Sequence, residues 1–201
     1  MTQEFTDIMI DIETTGLEPN RNAIIQIAAV KFNLKTGAVC HDMFDMCLSM
    51  PNNRSWMEST RQWWSKQRQD VLQDIFNRAE SPAMVIEAFA RWCYPVDSLR
   101  FWSKPSHFDY MFLSSYFADY DVPNPFSYRE ATDMNSYLRG LHAPEAVPDL
   151  KVAFDGAVHN ALDDTLNQIK VLLTHKEFVD SKNKQQLILP SELKDVTDNQ
   201  G

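Results

Sequence analysis

Over its first fifty positions the chain's apolar residues fall in short runs and alternations, and over most of the remainder they recur every three or four residues. The first pattern predicts strands over 7–12, 23–33 and 38–49. The turn-rich Gly16-Leu17-Glu18-Pro19-Asn20-Arg21-Asn22 joins the first two, and Leu34-Lys35-Thr36-Gly37 joins the next two. The second pattern predicts helices over 58–68 and 82–94, then a short apolar strand over 99–103 and a helix over 107–118. After the Pro-rich loop Val122-Pro123-Asn124-Pro125, a short strand and helix are expected over 128–140. A loop through Pro144 and Pro148 leads to an amphipathic helix from about 160 to 175, set by Ala161, Leu162, Ile169, Leu172 and Leu173. An antiparallel start followed by β–α alternation predicts one α/β domain, a mixed sheet flanked by helices, and no internal repeat interrupts it.

The domain is placed at 1–178 and a polar tail at 179–201. From Asp180 the tail is polar and poor in aromatics, so disorder is expected over most of it, with Leu187-Ile188-Leu189-Pro190 the one stretch able to dock. A length of 201 residues with 44% hydrophobic content is enough for a single core. No run approaches the ~18 apolar residues of a membrane span. Met1-Thr2-Gln3-Glu4 has neither the basic nor the apolar region of a secretion signal, so a soluble, cytoplasmic protein is expected. Cys40, Cys47 and Cys93 form no CxxC pair and read as reduced thiols. The net charge of −9 argues against tight clamping of a long duplex. Lys31, Lys35, Arg54, Arg61, Lys66, Arg68 and Lys104 form either a local basic rim or a solvated scatter.

Candidate chemistry begins at Ile10-Asp11-Ile12-Glu13-Thr14-Thr15-Gly16. In an extended segment Asp11 and Glu13 face the same way, and two like charges so close resist ionisation unless a cation sits between them. A lone Asp-x-Glu is common by chance, but the apolar Ile8, Met9, Ile10 and Ile12 around this one suggest a buried strand carrying acids at its end. The small, turn-forming Thr14, Thr15 and Gly16 would let backbone amides approach a ligand closely. Downstream, His159 sits just before a predicted helix with Asp164 on its first turns, a natural general base beside a carboxylate. Asp109 falls in the first turn of the 107–118 helix, where an acid could simply complement the helix dipole. Trp63 and Trp64 point about 100° apart on a helix, so at most one is fully core and the other could stack on a base. Asp163 reads as a solvated face, and His41, His142 and His175 show no partner pattern.

Asp11-x-Glu13, then Phe108-Asp109, then His159 followed five positions on by Asp164, resembles the three motifs of the DnaQ-like, DEDD-type 3′-to-5′ exonucleases with histidine in the last motif, over roughly residues 7 to 175. The segment Ser59-Thr60-Arg61-Gln62-Trp63-Trp64-Ser65-Lys66-Gln67 is similar to one in phage exonucleases of the DexA type and in related bacterial exoribonucleases. The resemblance implies a ribonuclease H-like fold. It implies Asp11, Glu13, Asp109 and Asp164 as ligands of two divalent cations, Mg²⁺ or Mn²⁺, and His159 as the base that deprotonates water. Ile12, Thr14, Thr15, Gly16, His107 and Phe108 would contact the substrate, a nucleic acid with a free 3′ end, DNA favoured over RNA. A homodimer is possible; the alternative function is a 3′-to-5′ exoribonuclease of the same fold, ahead of an inactive module that binds nucleic acid or protein. Lys104-Pro105-Ser106-His107 departs from the small Gly- or Asn-containing turn of many relatives.

Overall fold

The structure is a computed structural model that describes residues 5–94 and 99–187. Three strands come first: β1 (Asp7–Thr14), β2 (Ile24–Phe32) and β3 (Val39–Leu48). Then follow α1 (Glu58–Trp64), α2 (Gln69–Asn77), β4 (Ala79–Glu80) and α3 (Pro82–Cys93). The remainder is β5 (Arg100–Ser103), α4 (Ser106–Asp119), β6 (Ala131–Asp133), α5 (Met134–His142) and α6 (Ala161–Leu187). The strands form one mixed sheet in the order β4-β3-β2-β1-β5-β6. β1 pairs antiparallel with β2 and parallel with β5, so it lies inside the sheet with both faces covered.

The pleat of β1 decides where its acids go. Ile8, Ile10 and Ile12 pack with residues of α3 and α4, including Val85, Phe89, Phe112 and Tyr116. Met9 packs on the opposite face with Trp102, Met134, Leu138, Ile169 and Leu172. Because side chains alternate along a strand, Asp11 and Glu13 share the face of Met9, under α6. A register shift between Glu13 and Thr14, which pairs with Ile24, disrupts the ladder just before the chain enters the next loop.

Four expectations are corrected. The helix predicted over 58–68 ends at Trp64, because Arg68 is extended (φ −61°, ψ 110°), and α2 follows with Val71 and Ile75, four apart, buried on one face. β4 is two residues long, too short to leave a periodic signal. The last helix passes the expected end at 175 and reaches Leu187, so the segment from Asp180 to Leu187 is helix rather than disordered tail. Its apolar stripe fades there, and the (i, i+4) pair of Lys176 with Asp180 at 2.5 Å, with good helix formers such as Lys184 and Gln186, carries the helix on. The rest of the tail, 188–201, lies outside the described residues, and so does the docking expected of Ile188-Leu189-Pro190.

The fourth correction concerns the basic rim. Arg54 is 5% exposed and belongs to the fold. Its guanidinium donates to the carbonyls of Pro19 and Asn22, to Ser115 Oγ at 2.7 Å and to Asp119 Oδ2 at 2.6 Å, lying 4.1 Å from the Tyr116 ring. Tyr116 Oη in turn accepts from the Ile24 amide at 2.8 Å. The loop after β1 is thereby tied to α4, which carries Asp109. Lys31 is likewise spent on the fold, donating to the Trp92 carbonyl at 2.6 Å. Cys47 and Cys93 are free, buried thiols, and burial pushes both up to about 12. Among the described residues no helix is long and apolar enough to cross a membrane.

Candidate active site

Three elements distant in sequence meet at one end of the sheet: the C-terminal end of β1, the first turn of α4 and the first turn of α6. They bring together the four acids marked in the sequence. Burial raises Asp11 and Glu13 well above the usual carboxylate range. The remaining acids of the cluster add to the rise, Asp109 and Asp164 at Asp11, and Asp11, Asp164 and Asp109 at Glu13. Burial pushes Asp109, 3% exposed, up to about 7, against weaker pulls from Ser103 and the backbone of Asp109 and Ile12. Asp164 is also raised by burial, with His159 opposing. Such a cluster cannot ionise fully on its own, and a cation relieves it. Donor atoms of Glu13, His159 and Asp164 lie within 4.8 Å of one another, close enough to share an ion. Hard oxygen donors with no cysteine among them suit Mg²⁺ or Mn²⁺ rather than a soft metal.

The loop before α6 is held by α6's own first turn. Asp164 Oδ2 accepts from the His159 amide at 2.9 Å, Asp163 Oδ2 from the Ala157 amide at 2.7 Å, and Asn160 Oδ1 from the Leu162 amide at 3.1 Å. Asp163 is therefore a loop clamp and not the solvated face expected of it. Its carboxyl occupies the space a Cβ would need at Gly156, whose φ is +111°. His159 adopts a left-handed φ of +66°, uncommon for a residue with a side chain and tolerated where the surroundings over-determine it. Its ring stands edge-on to Trp63, centroids 4.6 Å apart, and 6.3 Å from Trp64.

The two tryptophans divide as helix geometry requires. Trp64 is 2% exposed and donates Nε1–H to the Thr14 carbonyl at 3.1 Å, whereas Trp63 is 40% exposed. Trp63 lines a cleft of about 380 Å³ with Ile12, Glu13, Thr14, Leu17 and Phe108. Of the expected substrate contacts, Ile12, Thr14 and Phe108 thus face the cleft. Thr15 is fully buried, its hydroxyl donating to the Ser55 carbonyl at 3.0 Å and accepting from the Ala23 amide at 2.7 Å. His107 is exposed and lies near Asp133, whose carboxyl burial raises but hydrogen bonds from Ser136 and Ser106 lower further, with His107 adding least. Gly16 serves packing. A methyl group there would run into the Asn22 side chain, which donates to the Ser55 carbonyl at 3.0 Å and accepts from the Glu18 amide at 2.9 Å. Gly16→Ala should therefore cost about 1–3 kcal/mol of stability by overpacking, measured as a lower midpoint in urea, and an unchanged midpoint would show that Asn22 moves freely.

Residues not marked in the sequence complete the site. Gln168, one helical turn after Asp164, donates Nε2–H to Asp11 Oδ1 at 2.7 Å. Gln26 accepts from the Ala161 amide at 3.1 Å and anchors the start of α6 to β2. The four-residue step from Asp164 to Gln168 was the only advance signal of the first, and Gln26 left none.

Several solved structures share the fold. Exonuclease I superimposes with a TM-score of 0.65 at 15% identity, over 89% of this chain and 43% of that one. Cell-death related nuclease 4 gives 0.61 at 16% identity, over 87% and 65%. E. coli exonuclease I in complex with a 5cy-dA13 oligonucleotide gives 0.58 at 14%, over 90% and 44%. The chain thus spans less than half the length of the exonuclease I structures. No curated protein sequence matches it. Residues 6–175 match the 3'-5' exoribonuclease Rv2179c-like domain, a stretch that holds every acid of the cluster and His159. The chain accordingly belongs to the Rv2179c-like 3′-5′ exoribonuclease domain family, with the ribonuclease H-like fold of the DnaQ-like exonucleases.

Proposed function

We propose that the protein is a divalent-metal-dependent 3′-to-5′ exonuclease that releases nucleoside monophosphates from unpaired 3′ ends. The carrying observation is the convergence of Asp11, Glu13, Asp109, Asp164 and His159 beside a cleft of about 380 Å³. That volume suits a small ligand such as a single nucleotide. Asp11, Glu13, Asp109 and Asp164 would hold two Mg²⁺ or Mn²⁺ ions, which when bound supply activation of water and stabilisation of the leaving 3′-oxygen. His159 takes the proton from the attacking water, its backbone fixed by the bond from its amide to Asp164 and its ring packed edge-on against Trp63. Trp63 and Phe108 offer flat apolar faces to the terminal base or ribose. A cleft of single-nucleotide volume favours an unpaired terminal nucleotide, and the net charge of −9 weakens any grip on duplex.

Two observations bear on the sugar. The likeness of 59–67 to DexA-type enzymes favours single-stranded DNA, whereas the family's description favours RNA. End-labelled single-stranded DNA, duplex DNA and RNA, each with Mg²⁺, Mn²⁺ or EDTA, separate them. Mononucleotides should appear from the 3′ end before any internal cut, a 3′-phosphate should slow their release, and EDTA should stop it. Faster loss of blunt duplex than of single strand would overturn the unpaired-end reading. Purely ribonucleotide products would assign RNA.

A further inference from the structure

We propose that Lys104 is a catalytic residue whose ammonium group binds the scissile phosphate and stabilises the charge that builds up on its non-bridging oxygens; this rests on the exonuclease reading above.

The placement follows from the sheet. β1 and β5 run parallel with Met9 opposite Trp102. Asp11 lies two residues beyond Met9, and Lys104 two beyond Trp102, immediately after β5 ends at Ser103. Met9 and Trp102 pack together under α6, the face to which Asp11 belongs, so Lys104 emerges at that end of the sheet beside the acids. Its charge is felt by both Asp11 and Asp164. Its backbone lies in a tethered turn, where the Ser106 amide donates to Asp133 Oδ2 at 3.2 Å and the Phe108 amide to the Pro105 carbonyl at 3.1 Å. Only the lysine stem is left free to adjust.

Lys104 is nonetheless uncommitted. Its side chain is exposed, and among the described residues it makes no ion pair or hydrogen bond, while Asp11 is held by Gln168 instead. Lys31 on β2 and Arg54 in the connection between β3 and α1 are consumed by the fold. A cation at the rim of an acid cluster, near two carboxylates and bonded to neither, is placed for an anion that arrives from outside. In a chain of net charge −9 the phosphate of a nucleic acid meets repulsion at this end of the sheet, and Lys104 supplies an opposing charge. Hydrolysis adds negative charge to the phosphoryl oxygens in the transition state, so a fixed ammonium there acts on turnover more than on binding of the ground state.

The test compares the parent with Lys104→Ala and Lys104→Arg, with three readouts: steady-state kinetics on a single-stranded oligonucleotide, Mn²⁺ affinity by calorimetry, and affinity for a nucleoside 5′-monophosphate in saturating Mn²⁺. Lys104→Ala should lower kcat by about 10²-fold with a smaller change in KM. It should weaken monophosphate binding by about tenfold and leave Mn²⁺ affinity equal or slightly higher, while Lys104→Arg recovers most of kcat. A Lys104→Ala variant within about threefold of an active parent in kcat would overturn the assignment, as would a loss of Mn²⁺ affinity matching that of Asp11→Ala. If the parent digests no 3′-ended nucleic acid, the exonuclease reading fails, and monophosphate binding decides Lys104 alone: equal affinity in parent and Lys104→Ala removes it, and a tenfold loss keeps it as the phosphate-binding group.

Discussion

On the proposed metal-dependent reading, Asp109→Asn should lower turnover by about 10³-fold, because loss of one ligand would misplace a cation that supplies several kcal/mol of transition-state stabilisation. Asp11→Ala, Glu13→Ala and Asp164→Ala fall in the same range. The substitution at Asp109 also has a thermodynamic signature that separates a strained ligand from an ordinary buried acid. Without metal, its carboxyl is raised to about 7 from an ordinary value near 3.8. A group raised on folding contributes stability that is fully present below its unfolded pKa and is lost as pH rises through the folded one. The parent in EDTA therefore loses this contribution between about pH 4 and pH 7, whereas asparagine has no charge to bury. Asp109→Asn should melt above the parent at pH 8, and the gap should shrink towards pH 4. Saturating Mn²⁺ should reverse the order at pH 8, since only the parent keeps the full donor set. A metal-free variant less stable than the parent at pH 8 would show that the Asp109 carboxylate is satisfied by its neighbours and carries no net burial penalty.

If His159 is the general base proposed above, His159→Ala should lower turnover by about 10²–10⁴-fold while leaving cation affinity close to that of the parent. A protonated imidazole cannot accept a proton, so the parent's rate should fall on the acid side and that limb should vanish from the variant's pH profile. The prediction discriminates because the His159 ring lies among the donor atoms of Glu13 and Asp164. Calorimetry decides it. Loss of Mn²⁺ affinity as severe as that of Asp109→Asn would make His159 a ligand, and a variant with unaltered turnover would remove it from the site.

The acids were legible because each leaves a local trace: a carboxylate pair on an apolar strand, an acid in the first turn of a helix, and a histidine five residues before an aspartate. Most elements were legible for a similar reason, since Ile8 to Ile12 and Ile24 to Val30 carry their burial in their composition. Residues that act through partners distant in sequence could not be read. Arg54 looked like a surface cation until the carbonyls of Pro19 and Asn22 closed around it. Thr15 looked like a ligand contact until its hydroxyl was committed to Ser55 and Ala23. The helical end of α6 escaped because it depends on (i, i+4) charge pairing more than on an apolar period.

The position of α6 in the chain also bears on when the site can exist. Three of the acids, on β1 and α4, have left the ribosome before the fourth is synthesised, and the same late helix brings Gln168 to Asp11 and Ala161 to Gln26. Until α6 emerges and docks, a growing chain has an incomplete donor set and no properly held His159. At roughly 5–20 residues per second, the 55 positions between Asp109 and Asp164 alone take several seconds to add. On the proposed reading, the growing chain therefore cannot cut nucleic acid until α6 has docked, so the order of synthesis itself delays the activity.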